Sequence, residues 1–526
     1  MFQTLTGPEA NQAEAVLVWT RPQGVIPEFA RLLKGESPDP ARLLSGVEEF
    51  VSQLKQFARN VRFVFVATWV RTDRGRGLGM RDWTQEGHSY LLAKMNLHLA
   101  QELAGAANIH LLDAQRWLDA APAARDAKYW FALKSPFTEA VFKACASDLK
   151  AALRGCLGQA RKIVLVDLDD TLWGGSVGDQ GWRDLRLGGP DPVGEAFAEF
   201  QTALKELMRR GIQLGVVSRN DRSVALEAFD RLPEMRLRRA DLAGWRINWD
   251  DKAHNIVELV EELNLGLESV VFIDDSPLER GRVREALPAV LVPDWPADPA
   301  RYAERLRELD CFDVPAVTDE DRTRSRMYVE QRERHSDLAA FRSVDEWLRS
   351  LGIRVSLAPV NDANLKRATQ LLNKTHQMNL AGRRLSESEL QSWLASNPLR
   401  AAQTLAVSDR FGDIGLIGLL RWERRGEELQ IVDFVLSCRA MGRKIEETMA
   451  ALAVEAARAA GAARVIARLV PTDRNRPCRE FWHRSGFVEG DGGCFAWSTL
   501  SQFAVPDFVA VAATTSAAHE PGRASD

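Results

Sequence analysis

Residues 163–175 read IVLVDLDDTLWGG, and the fold of the middle of the chain turns on them. Ile163 to Val166 are consecutive aliphatic residues, a run suited to a strand buried on both faces in a parallel sheet. Asp167 and Asp169 follow at once. Two residues apart in extended backbone, they face the same side, and they do so at a strand's carboxyl end, where open parallel sheets bind ligands. Working outward, the sequence predicts a helix over Gly194–Arg210, a strand over Gln213–Val217 and a helix over Arg222–Arg231. A helix over Lys252–Leu263 and a strand over Val270–Ile273 complete the alternation. That order implies an α/β domain with a parallel sheet and right-handed crossovers.

Pieces of this region suit one reaction. Asp167 is a carboxylate able to attack phosphorus and form an aspartyl phosphate. Asp169 can protonate the leaving oxygen and then activate water. GVVSRND places Ser218, Arg219 and Asn220 after the next strand, where a hydroxyl and backbone amides can hold phosphate oxygens. Lys252 supplies fixed positive charge for the transferring group. VVFIDDSP puts Asp274 and Asp275 after a further strand, where acidic oxygens suit Mg2+, a hard cation. Taken singly, a serine there caps a helix and a lysine is solvated; the order and placement of all of them carry the signal.

The set Asp167-Leu168-Asp169-Asp170-Thr171, Ser218, Lys252 and Asp274-Asp275 resembles the motifs of the haloacid dehalogenase-like hydrolases. The resemblance implies Asp167 as nucleophile and Asp169 as general acid/base. It implies Mg2+ held by Asp167, by Asp169 through its backbone carbonyl, and by Asp274 or Asp275. The short spans from Thr171 to Ser218 and from Ser218 to Lys252 leave no room for a large cap domain. The site is therefore expected to be open and to serve a bulky or protein-tethered substrate.

The wording around the motifs is narrower. LDDTLWGGSVGDQG, RLPEMRLRRADLAGWRINWDDKAHNI, LNLGLESVVFIDDSPLER, LLNKTHQMNLAGRRL and LSCRAMGRKIE resemble the FkbH-like family, over roughly residues 60 to 490. That resemblance implies a polyketide-associated enzyme. Such an enzyme dephosphorylates a three-carbon phosphate, 1,3-bisphosphoglycerate, and leaves the glyceryl unit on an acyl carrier protein, often as a precursor of methoxymalonyl units. Many glyceryl-transferring members have Cys between the two motif aspartates, where this chain has Leu168. If that Cys holds the glyceryl group, this chain needs another thiol, such as Cys438 or Cys478, or different chemistry. Two other readings stand beside this one: a plain phosphatase of another biosynthetic pathway such as polysaccharide assembly, and an acyltransferase whose phosphatase-like domain only binds.

The flanking regions yield weaker patterns. Residues 1–155 alternate strands (Val61–Val70, Asn108–Leu112) with helices (Ser89–Ala104, Pro136–Leu153). They resemble an SGNH-type α/β hydrolase domain but lack its Gly-Asp-Ser start and its Asp-x-x-His end, which implies a scaffold without catalysis. The phosphoryl-transfer domain spans 160–315 and a charged helical linker 316–350. Residues 351–502 resemble the GNAT acyltransferase α+β fold, with Arg439 and Gly442 before a long helix whose start can bind a phosphate or pantetheine arm. Asn475 fits that fold's final helix, and Lys444 stands where its pattern has Gly or Ala. The polar run holding Asn373, Lys374 and His376 is read as a binding loop for carrier or acyl group. Arg322, Arg324 and Arg326, or Arg383 and Arg384, are basic clusters suited to an acidic carrier. Residues 503–526 read as a disordered tail.

Composition sets the bounds. The chain has 526 residues, enough for several cores, with net charge -4, which argues against a nucleic-acid partner. No segment reaches the ~20 apolar residues of a membrane span, and the polar N-terminus lacks a signal-peptide pattern. Six scattered cysteines without a C-x-x-C pair fit reduced thiols and a cytoplasmic location.

Overall fold

The structure, a computed structural model, describes residues 13–37, 39–72, 77–315, 341 and 343–513. They fall into two compact units, Met1–Arg154 with Ser386–Glu389, and Gly155–Leu385 with Leu390–Asp526.

The first unit is an α/β layer. Its parallel sheet has the order β1 (Ala15–Val18), β2 (Phe63–Ala67), β3 (Ile109–Leu112). The helix α1 (Pro40–Ala58) starts where Asp39 accepts hydrogen bonds from the amides of Ala41 and Arg42, with Pro40 in the first turn. It buries Leu43, Val47, Phe50 and Leu54 in the same core as Leu91, Met95 and Leu99 of α2 (His88–Leu103). The expected strand over Val61–Val70 is shorter by several residues, and the helix expected from Pro136 begins at Glu139, as α3 (Glu139–Cys156).

The second unit opens with a four-stranded parallel sheet in the order β6 (Gly244–Ile247), β5 (Gln213–Ser218), β4 (Ile163–Val166), β7 (Val270–Ile273). Period-two alternation assigns its two faces. Val164, Val166, Leu214, Val216, Val271 and Ile273 pack on α4 (Pro192–Arg209) through Phe197, Phe200 and Leu204. Ile163, Leu165, Val270 and Phe272 pack on Ile256, Leu259 and Val260 of α6 (Lys252–Glu262). Both faces are covered, which explains the unbroken apolar runs. The four long helices of this module are each started by a side-chain cap: Asp191 for α4, Asp221 for α5 (Arg222–Arg231), Asp251 for α6 and Ser276 for α7 (Pro277–Ala286).

The rest of the second unit is built on a nine-stranded sheet with the path β14-β15-β13-β12-β11-β10-β8-β16. Its strands are β8 (Ile353–Pro359), β9 (Met378–Asn379), β10 (Arg400–Asp409), β11 (Gly412–Arg425), β12 (Glu428–Leu436), β13 (Arg464–Arg468), β14 (Val488–Gly490), β15 (Cys494–Ser498) and β16 (Val509–Ala513). Helices α8 (Leu365–Lys374), α9 (Glu387–Ala395), α10 (Ile445–Ala459) and α11 (Arg476–Arg484) lie among them in sequence. Strands β12 and β13 run parallel only from Glu428↔Arg464 to Ile431↔Ala467 and then fork. The fork is filled by the chain itself. β9 pairs with Val435 and Leu436, Leu380 N–H donates to Phe434 O, and Val470 N–H donates to Leu380 O. In this way the diverging strands keep their backbone groups satisfied.

One expectation needs correction here. The tail expected to be disordered from residue 503 contains β16, which pairs parallel with β8 from Val509↔Ile353 to Ala513↔Leu357; residues 514–526 lie outside the described ones. Of the linker over 316–350, residues 316–340 lie outside the described ones, the cluster Arg322, Arg324, Arg326 included, and Val344–Ser350 is helical.

Candidate active site

The site forms where β4, β5 and β7 end. Asp167 follows β4, Ser218 ends β5, Asp274 follows β7, and Lys252 is the first residue of α6. Asp251 fixes that helix start by accepting hydrogen bonds from the amides of Ala253 and His254. Lys252 therefore enters the site from a capped N-terminus. Its Nζ lies 3.1 Å from Asp167 Oδ1 and 2.6 Å from Asp274 Oδ2, with all three residues buried. Burial alone would lower the lysine's pKa; the two carboxylates outweigh it and hold Lys252 above its ordinary value. For Asp167, burial dominates and drives the carboxyl up, with Asp274 adding to the rise and Lys252 opposing it. Asp274 and Asp275 are likewise pushed up, chiefly by burial.

Oxygens of Asp167, Asp274 and Asp275 all lie within 4.8 Å of one another. One lysine does not neutralise three carboxylates, and Asp167 Oδ1 is buried without a well-aligned hydrogen bond. This all-oxygen donor set, short of positive charge, fits a hard divalent cation. The Asp169 side chain is not in the cluster. Its Oδ1 accepts from Trp173 Nε1 at 2.9 Å and from the Val177 amide at 3.1 Å, and its Oδ2 accepts from Asn220 Nδ2 at 3.2 Å. A carboxylate held this way is fixed in orientation and is not placed with the other three to hold a metal.

The expected phosphate-holding group Ser218, Arg219, Asn220 divides. Ser218 is buried, and Asn220 Nδ2 donates to its Oγ at 3.1 Å while also holding Asp169. Asn220 is thus a strut between the two. The Arg219 guanidinium is drawn to Glu279 at 2.8 Å and to the Asp250 carbonyl, so in this structure its side chain braces the rim. Sequence reasoning missed Trp173, which is fully buried, and Arg280, whose Nη1 donates to the carbonyls of Asp274 and Asp275 at 2.6 and 2.7 Å. It also gave no role to Thr171, whose hydroxyl donates to Asp275 Oδ1 at 3.3 Å and accepts from the Asp275 amide at 3.1 Å.

Between Thr171 and Ser218 the chain holds a one-turn helix (Val177–Gln180), a single 3-10 turn (Trp182–Asp184) and α4. No separate cap domain is inserted there.

The residues expected to bind a carrier or acyl group serve mostly as clasps. Asn373 exchanges hydrogen bonds with the Leu385 backbone, and Asn475 Nδ2 donates to the carbonyls of Asn379 and Val470. His376 Nε2 meets Gly158 O at 3.1 Å and its Nδ1 meets Arg384 Nη2 at 2.7 Å. Both ring nitrogens are engaged, and burial with the Lys162 and Arg384 charges pushes its pKa down to about 3. The Gly442 amide donates to buried Glu446, so a carboxylate of the chain already occupies the start of α10. Lys444 stands there in left-handed backbone, with φ 62°. Lys374, His376 and Arg439 do line a common cavity with Cys438, Lys162, Gln213 and Ser269. The last three mark the amino ends of β4, β5 and β7. Lys162 and Asp167 are separated by the length of a strand, about 16 Å. Cys438 thus lies at the opposite end of the sheet from Asp167. Cys478 is fully buried and its thiol is pushed up to about 12 by that burial. Neither thiol stands in for a Cys at position 168.

No protein-family profile and no curated protein sequence matches the chain. Among solved structures, the N-terminal part of the protein BF1531 from Bacteroides fragilis, containing a phosphatase domain complexed with Mg, is 28% identical. That match covers 60% of this chain and 84% of the other, with a TM-score of 0.52. Smaller likenesses are to the ribosomal-protein-S18-alanine N-acetyltransferase of Escherichia coli and the spermidine/spermine N-acetyltransferase of Vibrio cholerae. The first is 11% identical over 29% of this chain and 97% of the other, with a TM-score of 0.22. The second is 13% identical over 29% and 95%, with a TM-score of 0.21. A phosphatase-type domain is thus shared with BF1531, and no helix among the described residues is long and apolar enough to cross a membrane.

Proposed function

We propose that this chain is a Mg2+-dependent phosphatase that removes phosphate from a three-carbon, 1,3-bisphosphoglycerate-like substrate and takes part in loading the glyceryl unit on an acyl carrier protein. The observation that carries the phosphatase half is the Asp167–Lys252–Asp274 cluster with Asp275 beside it at the carboxyl ends of the strands. Asp167, Asp274 and Asp275 would hold the metal, which when bound supplies positive charge against the transferring phosphoryl group. Asp167 Oδ attacks phosphorus, the bond from phosphorus to the substrate oxygen breaks, and Asp169 gives that oxygen its proton. Asp169 then takes a proton from water, whose oxygen attacks phosphorus, and inorganic phosphate leaves with Asp167 restored. Ser218 and Lys252 hold the charge on the phosphoryl oxygens.

For the transfer half, the acceptor is the carrier's own thiol. Its sulfur attacks the acyl carbon, and the bond from that carbon to the 1-phosphate oxygen breaks and releases inorganic phosphate. The thiol proton passes to solvent, and the Asp167 steps above remove the other phosphate, the 3-phosphate ester. The remoteness of Cys438 and the burial of Cys478 favour this direct route over a protein-bound thioester. The absence of an inserted cap supports a tethered substrate. An acetyltransferase role is disfavoured by the filled fork between β12 and β13 and by Glu446 at the start of α10.

The test is to incubate the chain with Mg2+, 1,3-bisphosphoglycerate and a panel of carrier proteins and to weigh the carriers. A mass gain of one glyceryl unit supports the whole reading. Phosphate release without any carrier gain would leave a plain phosphatase. Asp167→Asn should abolish phosphate release while circular dichroism stays native; retained release would overturn the mechanism.

A further inference from the structure

We propose that a recess on the C-terminal sheet, lined by Arg383, Trp393, Arg400, Glu423, Arg425 and Arg468, is a binding site for a phosphate dianion, separate from the phosphoryl-transfer site. It opens where β12 and β13 part. Ile431↔Ala467 is their last pair, and Ile431 and Val432 form its apolar floor while Arg468, the next residue of β13, stands at its edge.

Charge is what distinguishes this recess from an ordinary solvated surface. Four arginines line it against a single carboxylate, Glu423. Glu423 is already shared by Arg400 at 2.9 Å and Arg425 at 2.7 Å. Arg383 and Arg468 make no ion pair within 4 Å among the described residues, Arg383 acting on the buried Asp433 charge only from a distance. Arg421 and Asp433 form a wholly buried pair at 2.7 Å, and Arg383 and Arg384 also act on the Asp433 charge. Arg421 nevertheless leaves its Nε and Nη1 buried without hydrogen-bond acceptors. Its guanidinium lies 4.3 Å from the centre of the Trp393 ring, and that of Arg400 lies 5.0 Å from it. Burial, and then the charges of Arg383 and Arg400, hold the Arg421 pKa below the ordinary arginine value. Like charges gathered around one recess repel. A dianion with three terminal oxygens relieves that repulsion and matches the planar donor forks of arginine better than a single carboxylate does.

The pair Arg383 and Arg384 also separates in function. Arg384 turns inward, donating to Leu372 O at 2.8 Å and meeting His376 at 2.7 Å. Arg383 alone is exposed and available to the recess.

Equilibrium dialysis of the full chain against radiolabelled inorganic phosphate, in saturating Mg2+, tests the assignment. Two sites per chain are expected, one of them the phosphoryl-transfer site. The double variant Arg383→Ala/Arg468→Ala should lose one, with affinity there falling at least about tenfold, as removal of charge-assisted hydrogen bonds implies. Its hydrolysis of p-nitrophenyl phosphate in Mg2+ should be unchanged. Both side chains are exposed, and the single variant Arg468→Glu should show the same loss if the double variant is unstable. One site in the unsubstituted chain, or two sites in the variants, would overturn the proposal. So would acetate displacing the bound phosphate as well as sulfate does, because the recess would then bind anions without regard to their charge. Loss of p-nitrophenyl phosphate hydrolysis along with the site would place the lost binding at Asp167 and would also refute it.

Discussion

Lys252→Met removes the one cation that stands between two buried carboxylates. Nζ is 3.1 Å from Asp167 and 2.6 Å from Asp274, and Lys252 is 4% exposed. Methionine keeps most of the volume, so packing changes little. The remaining carboxylates, with Asp275 beside them, are left without an internal counter-charge. Breaking a buried pair by removing one partner costs about 3–5 kcal/mol. For a domain of this size each kcal/mol shifts the melting temperature by about 2–4 °C, so the variant in EDTA should melt on the order of 10 °C below the unsubstituted chain. A divalent cation bound by the three carboxylates restores the missing charge. Saturating Mg2+ should therefore raise the melting temperature of the variant more than that of the unsubstituted chain; occupancy at 100 times Kd alone contributes about 2.7 kcal/mol. Phosphatase turnover should fall about 100-fold or more even when Mg2+ has restored stability, because the fixed charge on the phosphoryl group is gone. Differential scanning calorimetry with and without Mg2+ makes the comparison. A variant that melts within about 2 °C of the unsubstituted chain in EDTA, or that ignores Mg2+, would refute both the buried-pair energetics and the metal assignment.

Other perturbations follow from the same structure. Trp173→Phe deletes the indole donor to Asp169 Oδ1 at 2.9 Å; a hydrogen bond to a charged group contributes about 1.5–3 kcal/mol, so kcat for phosphate release should fall about 10- to 100-fold with a smaller change in KM, and an unchanged kcat would remove Trp173 from the positioning of Asp169. His376, with a pKa pushed down to about 3, is neutral in the fold yet binds a proton near pH 6.5 when unfolded; stability should therefore fall as pH drops below that value, by up to about 1.4 kcal/mol per unit. Urea midpoints at pH 7.5 and 5 should show a smaller drop in His376→Asn than in the unsubstituted chain, and equal drops would dismiss the effect. Gly158 has φ +71°, and a Cβ there would lie 1.9 Å from Asn373 O; Gly158→Ala should cost about 2 kcal/mol or more in strain and displaced backbone, read as a lowered melting temperature, and a neutral result would contradict the close approach.

How legible each part was depends on what its residues report. The strands Ile163–Val166 and Val270–Ile273 are read to the residue because both faces are buried and every position is apolar. β6, with sequence GWRI, is missed because it is an edge strand: Arg246 reaches out to Glu258 and Glu262, which breaks the apolar run. β14 and β16 are missed for related reasons, being the two ends of the large sheet. In the site, Asp167, Lys252 and Asp274 are legible because their chemistry and spacing recur together. Trp173 and Arg280 are not, nor is the strut role of Asn220, because these roles depend on turns whose geometry no residue type declares. Asp170 is an example, holding left-handed backbone with φ 51° while its Oδ1 accepts from the Gly175 amide. Polar side chains such as Asn373, His376 and Asn475 give the same sequence signal whether they meet a ligand or a carbonyl of their own chain, and here each meets the chain.

The division of the second unit follows from the two ends of one parallel sheet. The carboxyl ends of β4, β5 and β7 hold the carboxylates and Lys252, and the amino ends face the cavity that contains Cys438, His376 and Arg439. Lys162 Nζ donates to Lys374 O and His376 meets Gly158 O at that second end. The C-terminal sheet is therefore fastened to the side of the phosphoryl-transfer module remote from the reacting groups. An acyl group cannot pass from Asp167's end to Cys438 without crossing about 16 Å of packed sheet. On the proposed reading, a thiol that accepts an acyl unit at the carboxyl ends is neither Cys438 nor Cys478, and Leu168, fully buried between the two motif aspartates, contributes packing where a thiol would contribute an acceptor. A Leu168→Cys variant that gained a covalent glyceryl adduct on incubation with 1,3-bisphosphoglycerate would show that the position is reachable by substrate. The absence of an adduct, in a variant that still releases phosphate, would mean that the burial of residue 168 excludes it.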